Sequence, residues 1–280
     1  MKQYAAFGLV TMCAAVLCSQ TSPRVQVGRQ PDGSFLLPTG WRLEPVGKQI
    51  PLDTLPMSST LSKDGKFLLV LNGGYKPPSI SVIDIAQIRE TSRVPVADGW
   101  LGLAFSPDGN RVYAGGGAQS AVFEFTFSSS GELKPARTLV VTPPEQRTED
   151  DFIGDVAVSP DGRTIYAADL FRDSIVAIDA RSGVVTGHFK TSRRPYRILF
   201  HPDGKAIFVS NWADGTVSLL DASTGNTIGQ PVRVGPHPTD MVLSDRKPEG
   251  GDKDTRYRLF VAAANTNNVF VVGVGANREL

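Results

Sequence analysis

The chain contains almost no cysteine, and it is nearly neutral in net charge. Its 280 residues include two cysteines, Cys13 and Cys18, both within the first 22 residues. If that segment is removed, neither disulfides nor thiolate chemistry can contribute, and stability must come from packing. Because 29 basic and 28 acidic residues leave a formal charge of +1, the chain has no electrostatic reason to bind nucleic acid or anionic lipid.

Histidine and the common catalytic motifs are also scarce. His188, His201 and His237 are the only histidines, and they fall in separate predicted strands and turns. We therefore expect no shared metal or haem site, and we predict no cofactor. No Gly-x-Ser-x-Gly, His-Glu-x-x-His or P-loop sequence occurs. Catalytic triads are defined by geometry, so the missing motifs remove positive support for an enzyme without excluding one.

The first segment, Met1 to Ser22, has the features of a secretory signal peptide. Lys2 is followed by an apolar run from Ala5 to Leu17 and then by a small polar exit. The apolar run is short for a membrane span, and no stop-transfer pattern follows it. We expect residues 1–22 to be a signal peptide and residues 23–280 to be an exported chain, periplasmic or extracellular, with no membrane span.

The residues that are abundant are glycine and proline, 28 and 20 in number, which favours many tight turns over a helix-rich fold. One phrase recurs, in which Asp-Gly follows an apolar pair and a short polar or proline step. Its copies are Leu61 to Gly65, Phe105 to Gly109, Val158 to Gly162 and Phe200 to Gly204, with a degenerate copy from Val242 to Asp245. The glycines are 44, 53 and 42 residues apart, which is the period of a propeller blade.

Each copy predicts a turn between two strands. Proline presets φ at one turn position, glycine accepts positive φ, and aspartate can bond its own backbone. Runs rich in β-branched and aromatic residues follow, giving four short antiparallel strands per repeat. We therefore predict an all-β propeller of four-stranded blades. Its inter-blade core is expected to include Val82, Phe123, Ile178 and Leu219.

The Ser-Pro-Asp-Gly-x-x-hydrophobic-Tyr/Phe phrase, the strands that end in Asp and the glycine after them resemble the YVTN or YncE-like seven-bladed repeats. The resemblance covers roughly Asp32 to Val272 and implies a YVTN/WD40-like propeller. The segments Gln30 to Gly40 and Arg194 to Arg197 are similar to bacterial exported proteins in which such a propeller precedes a phosphoesterase domain. That resemblance implies a catalytic domain downstream in a longer relative.

The repeat count predicts about five blades and part of another at the N-terminus. The five are expected at 53–98, 99–141, 152–192, 194–233 and from 237 onward. Phe35 to Trp41 with Lys48 to Leu52 are expected to be two outer strands of a further blade. Since a seven-bladed ring needs about 40 residues per blade, we expect an incomplete ring, a truncated product or fragment, whose unpaired edges favour association.

A candidate binding site lies where the predicted inner strands begin. Residues at corresponding places in successive repeats are Trp100, Asp155, Tyr196, Arg197 and Asp240. A ring would bring them to one mouth of its channel, where aromatic, cationic and anionic groups suit a polar ligand. The alternative is that they are ordinary strand-start residues solvated by channel water. Trp212 is a second candidate, as an exposed aromatic contact.

Three functions are compatible with these features. The leading hypothesis is an exported binding or interaction module without catalysis of its own, whose partner is an unknown protein or a small polar ligand. The second is a propeller enzyme such as a lactonase, acting on a sugar lactone with metal or acid-base residues at the channel mouth. The third is the non-catalytic N-terminal part of a phosphoesterase fusion.

Overall fold

The computed structural model describes residues 26–244, 255–276, 278 and 280. Within these residues the regular structure is antiparallel β-sheet, apart from one short 3-10 helix, Pro144–Gln146. No helix in this part of the chain has the length and apolar character needed to cross a membrane. The predicted signal peptide lies outside the described residues, so export stays a prediction.

The chain divides into two compact units, Met1–Gln49 and Ile50–Leu280. The described part of the first unit forms a small three-stranded antiparallel sheet, β1 (Gly28–Arg29), β2 (Phe35–Leu36) and β3 (Arg42–Leu43). Asp32 accepts hydrogen bonds from the backbone N–H and the hydroxyl of Ser34, which fixes the turn between β1 and β2.

The prediction of two outer-blade strands in this region is wrong in its second half. Phe35–Leu36 is a strand, but it pairs within the small sheet of the first unit. Residues 48–52 contain no strand. Pro51 lies within that segment and lacks the N–H group that a strand ladder requires, which accounts for the difference.

The second unit contains five antiparallel sheets that follow the five predicted repeats, and strands pair in chain order within each sheet. Blade 1 contains β4 (Pro56–Leu61), β5 (Phe67–Asn72), β6 (Ser79–Asp84) and β7 (Arg89–Pro95), and blade 2 contains β8 (Leu103–Phe105), β9 (Arg111–Gly115), β10 (Ala121–Phe127) and β11 (Leu133–Val140). Blade 3 contains β12 (Ile153–Val158), β13 (Thr164–Asp169), β14 (Ser174–Asp179) and β15 (Val185–Lys190). Blade 4 contains β16 (Pro195–Phe200), β17 (Ala206–Asn211), β18 (Thr216–Asp221) and β19 (Val232–Arg233), and blade 5 contains β20 (Pro238–Leu243), β21 (Thr255–Ala263) and β22 (Asn268–Gly275). The predicted all-β propeller architecture is confirmed.

The first strand of each blade is the innermost one, and it packs beside the first strand of the next blade. Between blades 2 and 3 the approach is close enough for backbone hydrogen bonding. The N–H groups of Leu101 and Gly102 donate to the carbonyl of Gly154 at 3.3 and 2.8 Å. Glycine is required at 102, because a Cβ there would lie 2.8 Å from the backbone nitrogen of Val156.

The recurring Asp-Gly phrase forms the turn between the first and second strands, as predicted. In blade 3 the Ser159 hydroxyl donates to Asp161 at 2.6 Å and accepts the Thr164 N–H at 2.9 Å. Gly162 has a φ of +72°, in the left-handed region that glycine occupies at no steric cost. The turn is therefore held by local hydrogen bonds as well as by its sequence.

The hydrophobic cores lie between neighbouring blades rather than within any one blade. Val82, Ile178 and Leu219 are buried as predicted, and Phe123 is half-buried at the edge of the core between blades 1 and 2. A four-stranded sheet exposes two faces, so each blade depends on its neighbours for burial.

Blade 5 presents an apolar face and an unpaired edge. Val242, Phe260 and Val271 are aligned across its three strands, and the two valines are mostly exposed. Among the described residues no strand pairs with the outer edge of β22. An exposed edge of this kind is a site for pairing with another strand, and association through it stays a prediction.

Candidate functional site at the channel mouth

Three of the five inner strands begin in the same way. β4, β16 and β20 each start with proline, and the residue before that proline has positive φ: +50° at Leu55, +60° at Arg194 and +53° at His237. These backbone conformations cost free energy in a non-glycine residue. The repetition shows that the strained residue is a shared way of turning the chain into an inner strand.

The inner strands of blades 1, 3, 4 and 5 each contain a register irregularity within their first four residues. Such bulges redirect side chains out of the regular alternation of a strand. The third residues of these strands are Ser58, Asp155, Arg197 and Asp240. Three of the five predicted site residues therefore share one structural position in successive blades.

The strand starts of blades 1, 4 and 5, together with Leu101 before blade 2, surround a cavity of about 320 Å³, which we call the channel-mouth cavity. Its lining comprises Met57, Ser58, Ser59, Leu101, Tyr196, Arg197, Thr239 and Asp240. Of the predicted residues, Tyr196, Arg197 and Asp240 are in this lining. Sequence reasoning missed the other five, although Met57 and Thr239 have the same offset from a strand-start proline as Tyr196.

A three-residue charged network runs through the wall of the cavity. Arg197 donates from Nη1 to Asp155 Oδ1 at 2.9 Å, and its Nε lies 3.0 Å from Asp240 Oδ1. Asp155 is fully buried, whereas the Asp240 side chain is 73% exposed. The second oxygen of Asp155 accepts the backbone N–H of Ile198 at 2.8 Å. Asp155 therefore holds Arg197 from the buried side, and Asp240 faces the cavity.

Burial raises the pKa of Asp155, because desolvation penalises its charged form. The positive charge of Arg197 and the backbone N–H groups of Ile198 and Val156 act in the opposite direction. The nearby Asp155 carboxylate is the main cause of a raised pKa for Arg197. The two groups thus stabilise each other's charged forms within a wall that has little access to water.

Tyr196 supplies a neutral hydroxyl to the same cavity. Burial raises the pKa of its phenol above the usual value, and the carboxylates of Asp155 and Asp240 add to this effect. Tyr196 is therefore protonated at neutral pH and can act as a hydrogen-bond donor to a ligand.

Two predicted site residues lie outside the cavity lining: Asp155, which is buried beside Arg197, and Trp100. Trp100 precedes β8, and Leu101 takes the lining position in blade 2. The Trp100 ring packs edge-on against Phe152, with ring centres 6.0 Å apart, and Phe152 in turn contacts Phe171. The guanidinium of Arg194 lies over the Phe171 ring at 4.3 Å. Trp100 belongs to an aromatic row beside the cavity.

Trp212, the second candidate from the sequence, and the three histidines lie outside the cavity lining. Trp212 is half-buried and stacks on His237, with ring centres 3.9 Å apart. His188 lies in β15, and His201 is buried in the first turn of blade 4. Within the described ranges no group of three His, Cys, Asp or Glu residues is arranged to hold a metal ion.

A larger groove, of about 680 Å³, lies between blades 2 and 3 at the opposite ends of the inner strands. Two of its arginines, Arg111 and Arg137, are both paired with the buried carboxylate of Glu124. The groove is formed by adjacent turns of two blades, whereas the channel-mouth cavity draws equivalent positions from four. We therefore take the smaller cavity as the candidate site.

Comparison with known proteins assigns the family. The sequence profile of the family described as "Lactonase, 7-bladed beta-propeller" matches residues 89–241, more than half of the chain. The chain belongs to this lactonase propeller family. The more specific YVTN/YncE-like resemblance stays a prediction, as does truncation. No curated protein matches this lactonase-family chain.

Solved structures share the fold of this lactonase-family propeller at low sequence identity. A functionally unknown protein from Desulfotomaculum acetoxidans DSM 771 has a TM-score of 0.62 and 17% identity, over 78% of this chain and 68% of that chain. Kuenenia stuttgartiensis hydrazine synthase has a TM-score of 0.59 and 18% identity, over 83% and 70%. A putative 6-phosphogluconolactonase from Bacteroides uniformis ATCC 8492 has 0.55 and 18%, over 73% and 65%. The chain thus spans about two thirds of each structure.

Proposed function

We propose that this protein is a lactonase that hydrolyses a sugar lactone in the channel-mouth cavity. Membership of the lactonase propeller family supports the reaction class. The observation that carries the proposal is the placement of Arg197, which is anchored by the buried Asp155 and lines a cavity beside the exposed Asp240. A fixed cation can stabilise the oxyanion that forms in ester hydrolysis, and a solvated carboxylate beside it can act as the general base.

Lactone hydrolysis adds water to a cyclic ester and opens the ring. As the water oxygen bonds to the carbonyl carbon, negative charge develops on the carbonyl oxygen, and the Arg197 guanidinium is placed to stabilise it. Asp240 takes the proton released by the water. The bond from the carbonyl carbon to the ring oxygen then breaks, and the ring oxygen receives that proton. The product is an open-chain hydroxy acid.

Asp155 is assigned a positioning role in this scheme, because it touches Arg197 and is closed off from the cavity. Replacement by asparagine keeps the shape of the side chain but removes its charge. We expect Asp155→Asn to lower kcat with little change in KM, because the Arg197 guanidinium is then no longer held in the position that stabilises the negative charge of the transition state.

The test is hydrolysis of glucono-δ-lactone by the purified protein, with and without added divalent metal. The release of acid is the measured quantity. We expect Arg197→Met to lower kcat/KM by about 100-fold or more, as for removal of an oxyanion donor, and Asp240→Asn by about 10- to 100-fold. The matched control is Arg193→Met, which removes an exposed arginine paired with Asp214 and should leave the rate unchanged. A wild-type protein without turnover in either condition contradicts the proposal.

A binding module remains the second candidate function. It is favoured by the charged network itself, since Arg197 already has a carboxylate partner on each side. Saturable binding of a polar ligand without turnover would support this candidate over the lactonase. Export, and a phosphoesterase domain in a longer relative, are retained as proposals that cell fractionation and the downstream reading frame would test.

A further inference from the structure

The channel-mouth cavity has an unusual charge balance for its size. Of the described residues that line it, Arg197 is the only cation. That cation is bonded to Asp155 on one side and is in contact with Asp240 on the other. The single guanidinium is therefore offset by a carboxyl group on each side, and the exposed member of the network is the carboxylate of Asp240.

Cations next to the starts of the inner strands are largely neutralised as well. Lys76 and Arg93 share the carboxylate of Asp53, just before β4, at 3.3 and 3.1 Å, and Arg93 also pairs with Glu90 at 2.7 Å. Arg193, just before β16, pairs with Asp214 at 2.8 Å. These pairs leave little positive charge to receive an anionic group. Arg194 differs, because its guanidinium stacks on an aromatic ring.

The remaining polar groups of the lining are uncharged hydroxyls. Ser58, Ser59, Thr239 and Tyr196 are lining residues that carry a hydroxyl, and the Thr239 hydroxyl donates to the carbonyl of Ala262 at 3.3 Å. Hydroxyls and an exposed carboxylate are suited to hydrogen bonding with the hydroxyl groups of a sugar. The cavity volume of about 320 Å³ lies at the lower end of the range for small-molecule sites.

We infer that the cavity selects an uncharged polyhydroxylated ring and disfavours the same ring carrying a phosphate. This inference rests on the proposed function, and it specifies the substrate class as a neutral sugar lactone. A phosphate group in the cavity would lie close to the Asp240 carboxylate, and the described lining residues include no unpaired lysine or arginine to offset the repulsion. Like charges at short range in a partly desolvated site weaken binding.

The test compares two stable probes that differ only in the phosphate, D-glucose and D-glucose 6-phosphate, by calorimetry or ligand-observed NMR at low ionic strength. We expect the wild-type protein to bind glucose about tenfold or more tightly than its 6-phosphate. Asp240→Asn should bring the two affinities within about twofold of each other, mainly by strengthening binding of the phosphate. Added salt should also narrow the difference.

The control is Asp84→Asn, which removes one carboxylate from the turn between β6 and β7, outside the cavity lining. It should leave the ratio of affinities at its wild-type value. Tighter binding of the 6-phosphate by the wild-type protein would overturn the inference, and loss of that binding in Arg194→Met would identify Arg194 as the anion's anchor. Absence of binding for both probes would overturn it as well.

Hydrolysis of glucono-δ-lactone and of its 6-phosphate is measured in parallel, so that the two proposals can fail separately. A preference for glucose in binding, without turnover of either lactone, contradicts the lactonase and leaves the selectivity intact. Faster turnover of the phosphorylated lactone contradicts the selectivity and leaves the lactonase intact.

Discussion

At the scale of single residues, the end of the second strand differs from blade to blade. Blades 1 and 4 place a buried asparagine there, Asn72 and Asn211, whose side-chain amides donate to Ser81 and Ser218 hydroxyls at 2.9 Å. Blade 3 has Asp169 at the same register position. A carboxylate in that place is buried but lacks the amide's ability to donate a hydrogen bond.

Burial raises the pKa of Asp169 to about 6, and the nearby carboxylate of Asp151 adds to the shift while Arg172 opposes it. Because the folded-state pKa lies above the unfolded value, protonated Asp169 favours the folded state. That contribution is complete below about pH 4 and is lost as the pH rises through 6. At neutral pH the buried charge therefore destabilises the fold.

We predict that Asp169→Asn raises the free energy of unfolding by about 2 kcal/mol at pH 7.5 and changes it little at pH 4. Urea unfolding across this range provides the measurement. Asp161→Asn is a control of opposite sign, because a hydrogen bond from Ser159 lowers the pKa of Asp161 and its contribution is present above the unfolded pKa. A gain for Asp169→Asn that does not vary with pH would show that burial of charge is not the cause.

At the scale of strands and turns, the sequence predicts what is encoded locally. The Asp-Gly turns at Gly65, Gly109, Gly162 and Gly204 were all located, because proline, aspartate and glycine act through their own backbone. The fourth strand of blade 4 was less well predicted. The four-stranded repeat predicts a full fourth strand here, but the structure has an isolated bridge at Thr227 and the two-residue strand Val232–Arg233. An outer strand has few contacts, so its length depends on its neighbours.

The bulges of the inner strands were beyond prediction for a related reason. Whether Tyr196 or Arg197 turns toward the channel depends on the register shift between Pro195 and Arg197, which is a property of strand pairing. The period of the repeat brought candidate residues to one end of the blades. It did not identify Trp100 as a residue outside the cavity lining, or Ser58 and Ser59 as members of that lining.

Two glycines of blade 4 allow the steric cost of an added side chain to be measured apart from the cost of positive φ. Gly225 and Gly229 have nearly equal φ, +72° and +70°. A Cβ at Gly225 would overlap the Phe189 side chain of blade 3, whereas a Cβ at Gly229 would meet nothing within 4 Å. Left-handed strain is therefore common to both positions, and the steric clash is confined to Gly225.

We predict that Gly225→Ala destabilises the protein by about 1–3 kcal/mol more than Gly229→Ala, the typical cost of overpacking. Both variants share the cost of placing alanine at positive φ, about 1 kcal/mol. Thermal and urea unfolding of the two proteins measure the difference. Equal destabilisation would mean that the turn of blade 4 does not rest on Phe189 in solution.

At the scale of the whole molecule, the blades contact their sequence neighbours, so the couplings between blades determine whether they unfold together. Between blades 2 and 3 the coupling includes a buried charge. Glu124 is 1% exposed and pairs with both Arg111 and Arg137 of its own blade. Arg137 also donates to the carbonyls of Ala180 and Arg181 in blade 3. No repeat pattern marks this connection, because its members are not at equivalent positions in the other blades.

We predict that Arg137→Met lowers the free energy of unfolding by about 2–4 kcal/mol, since it leaves the buried Glu124 with one cation and removes two hydrogen bonds to blade 3. It should also reduce the steepness of the urea transition, because weaker coupling lets the blades on either side unfold separately. Arg163→Met is the matched control: Arg163 is 85% exposed and 3.9 Å from its partner, so its loss should change stability by less than about 0.5 kcal/mol. If Arg137→Met shifts the midpoint but keeps the wild-type steepness, the pair stabilises blade 2 alone, and the coupling between blades 2 and 3 resides instead in the backbone contacts around Gly102.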